Sequence, residues 1–163
     1  MQLFLILLIV CGISYLGVGI ADFYKKRCKL MSDIVMFCDC LISDIDFLHT
    51  PIKKIIDNRT KQFGAEMNKV LIQYASVLER GELIEYSQPV TSIYFSKSEC
   101  DMFMSLLIEL GKSDCDSQVS TIKNFKTAFQ KFYEEASEEK KKYAPMITKL
   151  SVLSGILMGI LLI

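Results

Sequence analysis

The chain has 163 residues with 19 basic and 19 acidic side chains, enough for one compact domain and two membrane segments and little more. A net charge of zero gives no global basic field of the kind that gathers nucleic acid. Six cysteines and a single histidine narrow the chemistry further.

The apolar content is concentrated towards both ends. Leu3 to Ala21 holds no charged side chain and has the length of a transmembrane helix, with Gly12, Gly17 and Gly19 as small residues that would let a second helix approach closely. A cleaved signal peptide is the competing reading, because Gly19-Ile-Ala21 loosely resembles a cleavage site. Against it stand the missing basic n-region and the length of the apolar run. Lys25, Lys26, Arg27 and Lys29 follow the run, and by the positive-inside rule they hold the middle of the chain in the cytosol. From there Leu30, Ile34, Phe37, Leu41, Ile45 and Leu48 recur at three and four, with Asp33, Asp39, Asp44 and Asp46 on other faces, which predicts one long helix extending beyond the membrane.

His49-Thr50-Pro51 is expected to stop that helix. The residue before a proline is pushed out of the helical region, and Thr50 can cap a new helix with Pro51 at its first position. A short helix with Ile52, Ile55 and Ile56 follows. Thr60 is the expected cap of the next helix, whose apolar face is Phe63, Met67, Val70, Leu71, Tyr74, Val77 and Leu78 and which Arg80-Gly81 ends. Ser87 to Tyr94 reads as loop and short turns. Ser96-x-x-Glu99 is a capping box ahead of Cys100, Phe103, Met104, Leu107 and Leu110, with Gly111 as the stop.

A polar turn, Lys112 to Ser117, then leads into a last helix with Val119, Ile122, Phe125, Phe129, Phe132, Tyr133 and Ala136 on one face. After Lys142, Lys149 is the only charged side chain. Residues 150–163 alone would reach only ~21 Å, short of a ~30 Å hydrocarbon core. Counted from Tyr143 the segment spans, with Lys149 snorkelling to the headgroups. Pro145 predicts a kink or break where this helix enters the bilayer. No stretch sustains a period of two. The expectation is therefore an all-α protein: residues 1–22 and 143–163 as transmembrane segments flanking 23–142, a cytosolic helical bundle of about five or six helices.

Catalytic constellations are sparse. A Ser-His-Asp or Cys-His pair could be built only on His49, whose place at a helix-terminating turn favours a local structural role for His49, Thr50 and Pro51. Neither a Walker A nor a GxGxxG spacing occurs, and Cys38 and Cys40 point to different sides of a helix, so no cofactor, metal site or catalytic residue is expected. In a cytosolic domain the cysteines would be reduced. Carboxylates spread over the helix surfaces read as solvated. The aromatic stripe Phe125, Phe129, Phe132 and Tyr133 reads as core. One charge feature has a sharper reading: Glu134, Glu135, Glu138 and Glu139, followed by Lys140 to Lys142, could form a partner-docking surface at the membrane's cytosolic face as well as ordinary surface pairs.

Taken together the features resemble stage III sporulation protein AB of endospore-forming bacteria. The likeness lies in Gly17-Val-Gly-Ile-Ala-Asp-Phe-Tyr-Lys-Lys-Arg27, His49-Thr-Pro-Ile52, Leu110-Gly-Lys-Ser-Asp114 and the apolar stretch Leu150 to Ile163. It covers nearly the whole chain and rests on the conjunction, since each motif is short. The resemblance implies a non-enzymatic component of a sporulation export channel, in the mother-cell membrane facing the forespore. Its cytosolic domain would be similar to the platform protein of type II secretion and type IV pilus systems. The implied partners are the stage III sporulation AA ATPase, other membrane components of the channel and the lipid bilayer. Two rival readings remain: an exported, surface-anchored helical protein with paired cysteines, and a small membrane enzyme using His49 and a thiol.

Overall fold

The computed structural model describes residues 2–46, 52–59, 62–80, 92–110 and 114–161. Every regular element among them is a helix: α1 Gln2–Asp46, α2 Ile52–Arg59, α3 Ala65–Glu79, α4 Lys97–Glu109 and α5 Cys115–Leu161. The expected turn at His49, Thr50 and Pro51, the cap at Thr60 and the stops at Gly81 and Gly111 lie outside the described residues. The chain divides into two compact units, Met1–Cys28 with Glu135–Ile163, and Lys29–Glu134. Helices α1 and α5 each supply a segment to both.

The unit Lys29–Glu134 has a core of large apolar side chains. The α1 face predicted from its spacing is buried from Leu30 through Ile34, Phe37 and Leu41 to Ile45. Ile55 and Ile56 of α2, Met67, Leu71 and Tyr74 of α3, and Phe103, Leu106 and Leu107 of α4 are buried as well. From α5 come Val119, Ile122 and Phe129, while Phe125, Phe132 and Tyr133 of the predicted stripe stay half-buried. Edge-to-face ring pairs join Phe37 to Phe63 (5.9 Å) and Phe103 to Phe129 (6.2 Å) across elements. The capping box at the start of α4 is complete: the Glu99 amide donates to Ser96 Oγ at 3.3 Å, and the Ser96 amide donates to Glu99 Oε2 at 2.6 Å.

Two carboxylates expected on solvated faces are in fact buried. Asp33 accepts from Lys29 Nζ at 2.7 Å and from the backbone N–H of Gly64 at 2.9 Å. Asp44 accepts both Nε (3.1 Å) and Nη2 (2.8 Å) of Arg59, a two-pronged pair that ties α2 to α1. These bonds correct the expected start of α3 as well. The helix begins at Ala65 with Gly64 as its N-cap, and Phe63 precedes the helix while still reaching the core. A Cβ on Gly64 would lie 2.8 Å from Asp33 Oδ2, so the bare backbone is what lets the buried carboxylate approach.

The other unit is built on an opposite plan. Its described buried positions are small: Gly17, Ala21 and Cys28 on α1, and Ala136, Ala144, Gly155 and Gly159 on α5. Gly17 packs directly on Ser151, such that a Cβ at residue 17 would collide with the Ser151 side chain. Ser151, Gly155 and Gly159 are four apart, as are Gly17 and Ala21, the small-xxx-small spacing that lets two helix backbones approach closely. Of the three glycines singled out in α1, Gly17 serves this contact; a Cβ at Gly12 or Gly19 would meet no described residue within 4 Å. Most of the described large apolar side chains, among them Tyr15, Leu16, Leu153, Ile156, Leu157 and Ile160, are exposed. Helix α5 continues through Pro145, so of the kink or break expected there a break does not occur. Nearby, Thr148 Oγ1 donates to the Ala144 carbonyl (2.9 Å) and Ser151 Oγ to that of Ile147 (2.8 Å), which satisfies both hydroxyls within the helix.

Candidate functional site

Helix α5 displays the acidic cluster, and its four members have different surroundings. Glu134 is exposed and accepts a long bond from Gln130 Nε2, 3.4 Å. Glu135 and Glu138 are exposed and make no hydrogen bond or ion pair with any described residue. Glu139 is already engaged: its Oε2 lies 2.5 Å from Arg27 Nη1, an ion pair whose side chains are 37% and 18% exposed. It fastens α5 to α1 within one unit, reinforced by the tilted ring pair of Tyr24 and Tyr143, 5.5 Å apart. Lys142 sits over the Tyr143 ring at 5.2 Å. An open cleft of about 320 Å³ runs between Glu135, Glu138, Glu139, Lys142 and Tyr143.

The role of Arg27 had no local signal in sequence. Read along the chain it is one of four cations following an apolar run; its partner is 112 residues away and becomes its neighbour only when the two helices pair. The acidic members that remain free for a second molecule are Glu135 and Glu138, with Glu134 beside them on the same helix.

The described residues contain no group of three His, Cys, Asp or Glu able to hold a metal ion. None of the six cysteines is in a disulfide bond. Burial pushes the Cys38 thiol up to about 12, and the adjacent Asp39 charge adds to the rise, so it remains protonated and unreactive near neutrality. Cys40 is raised too, chiefly by burial, with Arg59 pulling the other way. Tyr74 is pushed up to about 12 by burial, and its hydroxyl donates to the Leu107 carbonyl at 3.4 Å, linking α3 to α4. At the head of α5, Asp114 Oδ2 accepts from the Ser117 amide (3.3 Å), and bonding to Ser117 holds the Asp114 carboxyl below its ordinary range.

Among the described residues one helix, Cys115–Ile160, is long and apolar enough to cross a membrane, and only 11% of its most apolar stretch is buried within the protein. The features define an all-helical protein whose last helix carries buried apolar residues in its first half and runs on into an apolar, outward-facing segment. Residues 2–163 match the family of stage III sporulation protein AB, and the chain belongs to that family. No curated protein and no solved structure matches it significantly.

Proposed function

We propose that this protein is a non-enzymatic membrane adaptor of a sporulation export complex acting from mother cell to forespore. Its central residues, about 23–142, lie in the mother-cell cytosol between spans at 1–22 and 143–163. The observation that carries the reading is the course of α5. A single helix lines the core of the unit Lys29–Glu134, then presents exposed carboxylates and lysines, and then turns an apolar surface outward where no charge remains after Lys149. Lysines at Lys25, Lys26 and Lys140 to Lys142 favour the cytosolic placement of the residues between the two apolar stretches. The small-residue seam at Gly17 and Ser151 suits two helices paired in lipid, where close backbone approach takes over the role that large buried side chains have in water.

In this reading the protein docks the cytosolic stage III sporulation AA ATPase, as the platform proteins of type II secretion and type IV pilus systems are placed to do. Energy comes from the ATPase, and the two helical units transmit or resist its motion. Glu135 and Glu138 offer uncompensated negative charge to a basic patch on the partner, whereas Glu139 is tied to Arg27. Charge reversal at a docking surface removes attraction and adds repulsion, so Glu135→Arg with Glu138→Arg should weaken binding of the ATPase by about tenfold or more. The test is capture of the ATPase by the full-length protein in nanodiscs, with circular dichroism on the same samples. A variant that keeps its helicity and binds the ATPase unchanged would remove these residues from the docking surface. Wild-type protein that captures no ATPase would remove the partner.

A further inference from the structure

Beside the acidic cleft, the same unit contains a larger and chemically different groove of about 620 Å³. Its base is apolar, formed by Ala144 and Pro145 with Thr148. The Thr148 hydroxyl is turned back to its own helix through the Ala144 carbonyl and offers little to a polar ligand. Four lysines surround this floor: Lys140, Lys141 and Lys149 from α5 and Lys25 from α1. The helix period explains the arrangement, since 140, 144 and 148 form one row four apart and 141, 145 and 149 the next, leaving a basic rim around a small-residue base.

None of the four ammonium groups has an ion-pair or hydrogen-bond partner among the described residues. Four partnerless like charges around one groove repel one another, although Glu135 and Glu138 are nearby on the same helix and equally unpaired. The opening lies where the charged run ending at Lys142 gives way to the outward-facing apolar side chains Met146, Leu150 and Leu153. In a spanning helix that is the level of the lipid headgroups.

We propose that this groove binds an anionic phospholipid of the cytosolic leaflet. The lysines hold the headgroup phosphate, and the Ala144–Pro145 floor receives the start of an acyl chain. Charge complementarity selects the anion, and the apolar floor selects a lipid over free phosphate, which has no use for such a surface. Lys149 has a positive role here: it completes the rim from the membrane side and is no longer only a charge to be snorkelled away. The inference rests on the reading of α5 as a spanning helix.

The test is native mass spectrometry of the full-length protein released from detergent, after incubation with phosphatidylglycerol or phosphatidylcholine of identical acyl chains. Phosphatidylglycerol should be retained in preference, and Lys140→Gln with Lys149→Gln should cut that preference by about five-fold for each lysine removed, equivalent to ~1 kcal/mol per basic side chain at an anionic surface. Lys123→Gln with Lys131→Gln, exposed lysines in the other unit, should leave it unchanged. Equal retention of the two lipids would overturn the proposal, as would a preference that survives the Lys140 and Lys149 changes. Displacement of the lipid by millimolar inorganic phosphate would overturn it too, by showing a plain anion site. Resistance to alkaline extraction from phosphatidylcholine liposomes reads the spanning helix separately, so loss of lipid selectivity in a protein still embedded would count against the groove alone.

Discussion

The two units bury opposite kinds of residue. In Lys29–Glu134 the largest buried side chains are Tyr74, Phe37, Phe103 and Phe129, and few large hydrophobics remain outside. In the unit of Met1–Cys28 and Glu135–Ile163 the described buried residues are glycines, alanines and Cys28, and most of the described large hydrophobics are exposed. One chain therefore follows two packing rules, a contrast that the proposed placement of the second unit in a membrane accounts for. Water drives bulky apolar groups inward; hydrocarbon gives them no such drive, and contact then depends on how near two backbones can come.

The contrast can be broken most severely at Phe129. Its ring is fully buried and meets Phe103 and Phe132, so Phe129→Ala should cost about 3–5 kcal/mol through lost burial and a cavity. Leu153→Ala, removing an outward-facing side chain of the other unit, should shift stability by no more than about 0.5 kcal/mol in detergent. Denaturation of the detergent-solubilised full-length protein, followed by circular dichroism, compares the two. If Leu153→Ala proved as costly as Phe129→Ala, the two-solvent description would fail.

A smaller loss is expected at Asp44. Asp44→Ala leaves the Arg59 guanidinium without its two-pronged partner, yet the arginine is 31% exposed and can turn to water, which keeps the cost to about 2–3 kcal/mol in the same assay. The Arg59 guanidinium is held yet more firmly protonated by the Asp44 hydrogen bond and charge.

The small-residue seam gives a sharper comparison between glycines of one helix. Gly17→Ala forces a methyl into Ser151 and should cost about 1–3 kcal/mol. Gly12→Ala and Gly19→Ala, with open space around the new methyl, should be neutral or stabilise α1 by up to about 1 kcal/mol through helix propensity. Equal effects at all three sites would show that the backbones do not touch at residue 17.

The smallest effect concerns pH. Because the folded-state pKa of Asp114 is depressed, its contribution is complete above the unfolded value of about 4 and fades as pH falls through the lower folded value. Acidification should therefore loosen the first turn of α5. Hydrogen exchange at the Ser117 amide should rise in acid in the wild-type protein, after correction for the intrinsic pH dependence of exchange. It should be insensitive to acid in Asp114→Asn, where no carboxylate can titrate.

Much of this was legible in the chain. Spacings of three and four located the buried faces of α1, α3, α4 and α5, since a helix places such residues on one side whatever its neighbours. Ser96 and Glu99 announced the start of α4 because a capping box is a local device. What stayed hidden were relations between distant residues. Nothing near Asp33 or Asp44 marks them as buried, as their partners Gly64 and Arg59 arrive from other elements. The acidic run Glu134, Glu135, Glu138 and Glu139 looked uniform until Arg27 took the last of them.

Sequence by itself therefore determined the helices, the uncharged apolar ends and the family, because local period, composition and motif order are properties of the linear chain. Tertiary structure decided which of three glycines meets a neighbour, which carboxylates leave water, and which lysines stand around a groove unpaired. Those outcomes depend on contacts between residues far apart in the chain, and no local spacing records them.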